Sequence, residues 1–452
     1  MSVASELPRS PNRRSSIGLV LVLGVALAYG IVRYGGVLPV DRYIQGLILA
    51  ITAVIYYCSH HRHQLAPPLS RCLLLTVLAL GSYVALQVIP LPINALRVLS
   101  PARAELAAAT GSGWAPLSVV WPETLLHLVT LCSCLLTFLL VRETKWRLEG
   151  REWLASLPIV ALASLEAALG LAQFFSGWPD GVARGTYINR NHFAGMLEMA
   201  LPFSVALAAV ALRTPRSRHR HQRLLGPTIK SAAALSAAAL ILAGVIHSYS
   251  RMGFVMALVG PGVTVVALIL PRSISGGTRV SGRRLVAASI AIGVLTGVIC
   301  GFVFLPPDQL IARFARLAAT DEISADMRLE IWNETLRLIA AYPIFGCGLG
   351  GYESGFFKYK RVAPMNTVDY AHCDYLQCFA ELGVVGALLC AGIAALTLRA
   401  AVRRASEPLG AASIGALVAI ALHSLVDFNL YIPANLMIVS WIAALVSDTV
   451  SI

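Results

Sequence analysis

Residues 153–175 read WLASLPIVALASLEAALGLAQFF, and this stretch decides the fold class. Glu166 is its one ionisable side chain, and a run of about 20 apolar residues forms a helix long enough to cross about 30 Å of hydrocarbon. The whole chain has the same character, with 57% hydrophobic and 13% charged residues, whereas a soluble domain has about 25% charged residues. We therefore predict an all-α polytopic membrane protein.

Similar apolar runs on either side of this one predict about twelve transmembrane helices. Their approximate ranges are 17–33, 43–58, 72–89, 124–141, 153–175, 193–212, 231–248, 252–270, 285–305, 376–398, 409–426 and 430–447. We expect one integrated membrane domain made of a nine-helix region (1–305), an extracytoplasmic loop (306–375) and a three-helix region (376–452).

The long loop contains the stretch ISADMRLEIWNETLRLIAAYP at 323–343. Its apolar residues recur at helical spacing and predict an amphipathic helix that lies against the membrane or the bundle. These residues are Met327, Leu329, Ile331, Trp332, Leu336 and Leu338.

The distribution of Lys and Arg predicts the orientation, because cytoplasmic loops retain positive charge. Of the chain's 36 Lys and Arg residues, 22 fall in the segments that are inner when the N-terminus is cytoplasmic, and seven fall in the short outer loops. We therefore expect both termini in the cytoplasm. The net charge of +13 lies mainly in inner loops, where anionic lipid is a sufficient partner, so we expect no nucleic-acid binding.

Polar residues cluster on the predicted outer side. RGTYINRNHFA (184–194) lies between two predicted spans, and Arg251 and His372 fall on the same side. Arginine presents a planar fork of donors that binds phosphate oxygens in bidentate fashion, so Arg184, Arg190 and Arg251 together indicate an anionic, phosphate-bearing ligand. His372 is suited to accept a proton near neutral pH.

Four motifs in this order resemble the O-antigen ligase and Wzy-type polymerase superfamily. They are GTYINRNHFAGMLEMALP (185–202), SYSRMGF (248–254), Arg328 with YPIFGCGLGGY (342–352), and AHCDYLQCFAELGVVG (371–386). One departure is visible, since family members usually carry Asn directly after the His of the last motif and this chain has Cys373.

The resemblance implies a glycosyltransferase of the bacterial cytoplasmic (inner) membrane that acts on the periplasmic face. Its donor is a glycan on a polyprenyl (undecaprenyl) pyrophosphate carrier, and ligation of O-antigen to the lipid A core of lipopolysaccharide is the leading reaction. A repeat-unit polymerase and a protein O-oligosaccharyltransferase remain open within this class. A small-solute or anion transporter and a structural component of an export machine are the alternatives outside it.

The resemblance and the residues together suggest roles for individual side chains. We expect Arg184, Arg251 and His372 to be catalytic: the arginines stabilise the departing pyrophosphate, and the histidine accepts the proton of the acceptor hydroxyl. The predicted outer loops contain no D-x-D pattern, which would indicate a divalent-metal site. We therefore expect no metal and no cofactor. The expected substrate-binding residues are Asn189, Arg190, Asn191, Arg328, Asp374 and Glu381, and Asp369, Asp374 or Glu381 is expected to orient His372.

The orientation is testable with single cysteines in an otherwise cysteine-free chain. One cysteine is placed in the loop 306–375 and one in the basic loop 213–230. In intact spheroplasts, a membrane-impermeant thiol reagent should label the first and spare the second, because only the first faces the outside. Labelling of the cysteine in 213–230 in intact spheroplasts would refute the predicted orientation.

Overall fold

The computed structural model describes residues 13–59, 65–178, 181–212, 225–269, 325–361 and 367–447. This part of the chain is mostly helical and contains 15 α-helices. Those before residue 270 are α1 (Arg13–Val32), α2 (Pro39–Ser59), α3 (Arg71–Val88), α4 (Ile93–Leu99), α5 (Pro101–Ala109), α6 (Trp121–Arg147), α7 (Leu157–Ser176), α8 (Arg190–Leu212), α9 (Leu225–His247) and α10 (Arg251–Ile269).

The remaining helices follow residue 324. They are α11 (Ala325–Ala341), α12 (Tyr352–Phe357), α13 (Asp374–Arg403), α14 (Pro408–His423) and α15 (Pro433–Val446). Between α3 and α6, the short strands β1 (Pro90–Pro92) and β2 (Trp114–Pro116) pair in antiparallel fashion. The prediction of a helical membrane protein is confirmed.

Eight of the described helices are long and apolar enough to cross a membrane, namely α2, α3, α6, α7, α8, α9, α10 and α13. The apolar helices α1, α14 and α15 are shorter, and the predicted span 285–305 lies outside the described residues. The expected count of about twelve is therefore not confirmed. Helix α14 is too short to count as a full span, because its 16 residues rise only about 24 Å before the polar segment that follows His423.

Helix α8 forms the centre of the bundle, with 78% of its apolar window buried, and it packs against α7, α9, α10 and α14. Small residues permit the close approach. A Cβ at Gly260 of α10 would lie 3.1 Å from Cγ of Pro202, and a Cβ at Gly415 of α14 would collide with the Thr264 hydroxyl. Membrane helices associate through such small-residue contacts because lipid gives them no hydrophobic driving force.

Helix α13 is broken at Gly383, which has φ 58° and ψ −169°. The break frees backbone N–H groups, and the segment after α11 takes them up: Val384 N donates to the Pro343 carbonyl at 2.9 Å. A side chain at Gly383 would collide with the Ile344 carbonyl. The glycine-rich segment 346–351 is thereby held against the broken helix. Its glycines allow the backbone to turn at this contact.

The amphipathic helix predicted within 323–343 is present as α11. Its apolar face is divided in two by the fold. Ile331 and Leu338 are fully buried against α12 and α13, whereas Leu329 and Leu336 are 56% and 52% exposed. Helix α11 thus contributes one face to the protein core and leaves a second apolar strip uncovered within the described structure.

Candidate functional site

The backbone of the Arg184 segment is held by two side chains of α7. Glu166 accepts hydrogen bonds from the amide (2.8 Å) and the hydroxyl (2.9 Å) of Thr186. Gln173 accepts from the Arg184 amide at 3.2 Å and donates to the Gly185 carbonyl at 2.7 Å. Gly185 has φ +57°, and a Cβ there would collide with Glu166. The buried Glu166 therefore holds the backbone at Thr186, two residues after the half-buried Arg184.

The start of α8 carries the asparagines that the sequence singled out. Asn189 precedes the helix, and its side-chain oxygen accepts the Asn191 amide at 2.8 Å, which is an N-cap interaction. Capping explains Asn189. The half-buried side chains of Arg190 and Asn191 lie in the first turn, where free backbone N–H groups favour an anion.

Arg251 is the exposed first residue of α10. The Ser250 hydroxyl accepts the Gly253 amide at 3.2 Å and caps this helix. A Cβ at Gly253 would lie 2.5 Å from Cβ of Ala194, so the starts of α10 and α8 are in direct contact. The predicted residues Arg190 and Arg251 thus begin two helices that touch at the same end of the bundle.

The Arg184 segment is joined to the same place. Ala183 donates its amide to the carbonyl of His247 at 3.0 Å, and His247 ends α9 four residues before Arg251. Tyr249, in the turn between them, has φ 55°, which is unusual for a residue with a side chain. The structure therefore brings the three segments that carry Arg184, Arg190 and Arg251 to one end of the bundle.

His372 adopts the left-handed conformation, with φ 51°. Both backbone groups of the preceding Ala371 are fixed, since its amide donates to Gln377 at 2.9 Å and its carbonyl accepts from the Trp332 indole at 2.9 Å. Such a conformation costs about 1–3 kcal/mol and persists only where the surroundings enforce it. Strain of this kind is common at functional sites and supports the importance of this position.

Phe428 connects His372 to the start of α8. Its ring meets the His372 ring edge to face at 5.1 Å and the His192 ring at 4.5 Å. The Tyr370 ring stacks on Phe428 at 4.0 Å with an interplanar angle of 7°. The last motif and the first motif, about 180 residues apart in sequence, are therefore separated in space by one aromatic ring.

His192 and Asp427 form a buried pair that the sequence analysis did not assign to the site. Their Nε2 and Oδ1 atoms are 3.4 Å apart, and both side chains are almost completely buried. Burial raises the pKa of Asp427, but the contacts with His192 and His423 outweigh burial and hold this pKa below its usual range. The sequence offered His192 inside the first motif and Asp427 in the turn HSLVDFNL (423–430), where a plain hairpin is the alternative, but their pairing could not be seen because they lie far apart in sequence.

Glu198 of α8 and His423 of α14 form a second buried pair. The His423 Nδ1 atom lies 2.9 Å from the carboxylate, and both side chains are no more than 1% exposed. An acid inside an apolar helix is either functional or paired, and the structure gives Glu198 a partner in His423. This pair lies beside Asp427. The two histidine–carboxylate pairs therefore form a buried polar row that leads from the site into the bundle.

Arg328 and Asp374 contact the turn between α14 and α15. Arg328 donates from Nη1 to the Val426 carbonyl at 3.2 Å, while its Nε is buried without a hydrogen-bond partner. Asp374 accepts the Leu430 amide at 3.1 Å through one carboxylate oxygen. These contacts hold the turn that carries Asp427, and the predicted substrate contacts of both side chains remain predictions.

Glu381 is occupied by hydrogen bonds from the protein itself. Its carboxylate accepts the amides of Gly350 (2.9 Å) and Tyr352 (3.2 Å) and the hydroxyl of Tyr431 (2.8 Å). Gln377 donates at a longer 3.4 Å. With these donors, Glu381 is suited to position the glycine-rich segment, and its expected contact with substrate remains a prediction.

Cys373 occupies the N-cap position of α13 and makes no side-chain capping hydrogen bond. Asparagine is among the best N-cap residues, whereas a thiol is a weak acceptor. The departure from the resembled motif therefore affects the start of the helix that follows His372.

Together, the fold and the site define a polytopic membrane protein with arginines and a strained histidine at one end of its helical bundle. A family model described as O-antigen ligase matches residues 236–391 of the chain. This match confirms the predicted resemblance to the O-antigen ligase and Wzy-type superfamily. None of the curated proteins compared with the chain matches it significantly.

The matched segment includes Arg251, Arg328, His372, Asp374 and Glu381, and it begins after the Arg184 motif. The O-antigen ligase domain supports a role in glycan transfer within a membrane.

The N-cap position yields a stability prediction. Replacing Cys373 by Asn should stabilise the start of α13 by about 0.5–1 kcal/mol, because the amide oxygen can accept a first-turn N–H. In detergent, the midpoint of thermal unfolding should rise by about 1–3 °C.

Cys72→Asn is the matched control, since this exposed residue lies in the first turn of α3, where Ser70 already caps the helix at 3.4 Å. An equal gain in both variants would show that the N-cap position is not the cause.

Proposed function

We propose that this protein transfers a glycan from a polyprenyl pyrophosphate carrier to an acceptor hydroxyl on the periplasmic face of the bacterial inner membrane. The observation that carries the proposal is the meeting of Arg184, Arg251 and the strained His372 segments at one end of the bundle, around the matched domain. Ligation to the lipid A core is the leading reaction within this class, and a repeat-unit polymerase is the next.

In this reaction the arginines act on the leaving group. As the bond between sugar C1 and the pyrophosphate oxygen breaks, its electron pair stays with the pyrophosphate. Arg184 and Arg251 meet the developing negative charge with preorganised donors, so no divalent metal is required. The hydrogen bond from the Ala183 amide to the His247 carbonyl at 3.0 Å supports this role, because it brings the Arg184 segment to the start of α10, where Arg251 lies.

His372 acts on the acceptor. Its imidazole accepts the proton of the acceptor hydroxyl while the oxygen forms the new bond to C1 on the face opposite the pyrophosphate. The fixed backbone around Ala371 and the contact with Phe428 hold the ring in one orientation. His192 and Asp427, on the other side of Phe428, are positioning residues in this scheme.

Alanine variants separate these roles. Arg184→Ala and Arg251→Ala should each lose about 2–4 kcal/mol of transition-state stabilisation, roughly 30- to 1000-fold in rate. Lys should rescue each only in part, because it lacks the bidentate fork. His372→Ala should leave donor affinity near normal and abolish transfer. The measurements are donor affinity and single-turnover transfer on purified protein.

Arg190→Ala is the matched control, since Arg190 is also half-buried and begins α8; it should cost less than Arg184→Ala. Transfer near the wild-type rate in both Arg184→Ala and Arg251→Ala would refute the role of the arginines. A defect in solute uptake with intact glycan transfer would favour a transporter.

Chelation tests the absence of a metal requirement. Protein purified in EDTA should transfer glycan at the rate of untreated protein, because the two guanidinium groups supply the charge that a divalent ion would supply. Added Mg²⁺ or Mn²⁺ should change the rate little. Loss of transfer in EDTA that either ion restores would contradict arginine-only stabilisation.

A further inference from the structure

Arg42, on the first turn of α2, is a buried arginine that none of the roles above uses. Only 6% of its surface is exposed, at the end of a helix long and apolar enough to span the membrane. Removing a guanidinium from water costs several kcal/mol unless it is paired. A charged side chain retained in such a place is therefore a candidate for ligand binding.

Among the described residues Arg42 has no direct ion-pair partner, and the Glu123 carboxylate acts on its charge only from a longer distance. Its Nε has no hydrogen-bond partner, and no described carboxylate forms an ion pair with it. The neighbouring Asp41 accepts instead from Arg33 at 3.0 Å and from Tyr29 at 2.9 Å.

The contact that Arg42 does make is with a histidine. Its Nη1 lies 3.5 Å from Nε2 of His127, whose Nδ1 lies 2.9 Å from the Glu123 carbonyl. With Nδ1 donating to that carbonyl, the neutral imidazole keeps Nε2 as an acceptor. His127 therefore orients the guanidinium without cancelling its charge.

The surroundings of Arg42 join it to the predicted site. Burial raises the pKa of Tyr370, and the Arg42 charge opposes this effect, so the two groups lie within electrostatic range. Tyr370 stacks on Phe428, which contacts His372. Ring contacts agree with this placement, because the His127 ring beside Arg42 lies 6.2 Å from the Tyr431 ring, which lies 6.1 Å from the Tyr370 ring.

Arg42 belongs to a different group of helices from the arginines assigned to the donor, and the two groups meet where the Thr186 hydroxyl donates to the Ile31 carbonyl at 2.8 Å. Helix α2 packs against α1 and α6, whereas Arg184, Arg190 and Arg251 belong to segments that pack around α8, α9 and α10. Tyr370 and Phe428 instead connect the surroundings of Arg42 with His372, the predicted acceptor of the hydroxyl proton. An anion at Arg42 would therefore belong to the second substrate.

We propose that Arg42, oriented by His127, binds a phosphate or carboxylate group on the saccharide that carries the acceptor hydroxyl, beside the aromatic pair formed by Tyr370 and Phe428. The inference rests on the proposed function for the identity of this ligand as the acceptor. An anion at this place gives the buried guanidinium the charge-assisted hydrogen bonds that it lacks. The site therefore selects acceptors that carry a negative charge near the reacting sugar.

The test measures binding to the full-length protein in lipid nanodiscs with three probes. They are trehalose 6-phosphate, trehalose, and geranylgeranyl pyrophosphate, which represents a lipid phosphate. Wild-type protein should bind trehalose 6-phosphate about 10- to 100-fold more tightly than trehalose, the range expected for a hydrogen bond between charged groups. Arg42→Gln should abolish this preference, Arg42→Lys should keep part of it, and both should bind geranylgeranyl pyrophosphate normally.

Arg97→Gln is the matched control, because this exposed arginine of α4 pairs with Asn94 at 3.1 Å outside the site. The Arg97→Gln variant should prefer trehalose 6-phosphate over trehalose as strongly as the wild type does. His127→Leu removes the orienting contact and should lower the preference even if Arg42→Gln fails to fold. An unchanged preference in Arg42→Gln, or none in the wild type, would overturn the proposal. Loss of geranylgeranyl pyrophosphate binding in Arg42→Gln would place Arg42 in the donor site instead. Because these measurements need no transfer, they can fail or succeed separately from the proposed function.

Discussion

The arrangement of the candidate site depends on one buried carboxylate, that of Glu381. It lies two residues before the break in α13 and accepts hydrogen bonds from the glycine-rich segment and from Tyr431 in the α14–α15 turn. This buried carboxylate joins three parts of the chain that are distant in sequence: α13, the segment with Gly350 and Tyr352, and the turn with Tyr431. The position of His372 at the start of α13, and of Asp427 in the turn, follows from that junction.

The site is built mainly from the first turns of helices. Residues Arg190, Arg251 and Asp374 each begin a helix. Small residues let α8 and α10 approach closely, and the Asp374 amide at the start of α13 donates to the Ser424 carbonyl at 3.0 Å. Helix N-termini present unpaired amides and a partial positive charge. Collecting such ends at one face makes that face electropositive through backbone geometry as well as through side chains.

Much of this organisation could be predicted from the sequence, where the signal was local. Apolar runs predicted most of the helices, the four motifs contained Arg251 and His372, and Arg184 directly precedes the first motif. The pairing of His192 with Asp427 and of Glu198 with His423 could not be predicted, because each pair spans more than 220 residues and depends on packing. Arg42 was counted only as a loop cation, since its burial depends on α6. The count of about twelve spans is not confirmed, because α1, α14 and α15 are shorter than a full span and residues 285–305 lie outside the described part of the chain.

The division of α11 into a buried and an uncovered apolar strip bears on a competing reaction. An activated glycosyl donor is open to attack by water as well as by a sugar hydroxyl, and an enzyme that makes polymers must favour the sugar. Leu329 and Leu336 form the uncovered strip, and Arg328, beside Leu329, holds the turn next to Asp427. Under the proposed function, an apolar strip next to the residue that holds this turn would lower the local activity of water without any moving lid. In the proposed reaction, two exposed leucines would then help to favour transfer to the sugar over hydrolysis.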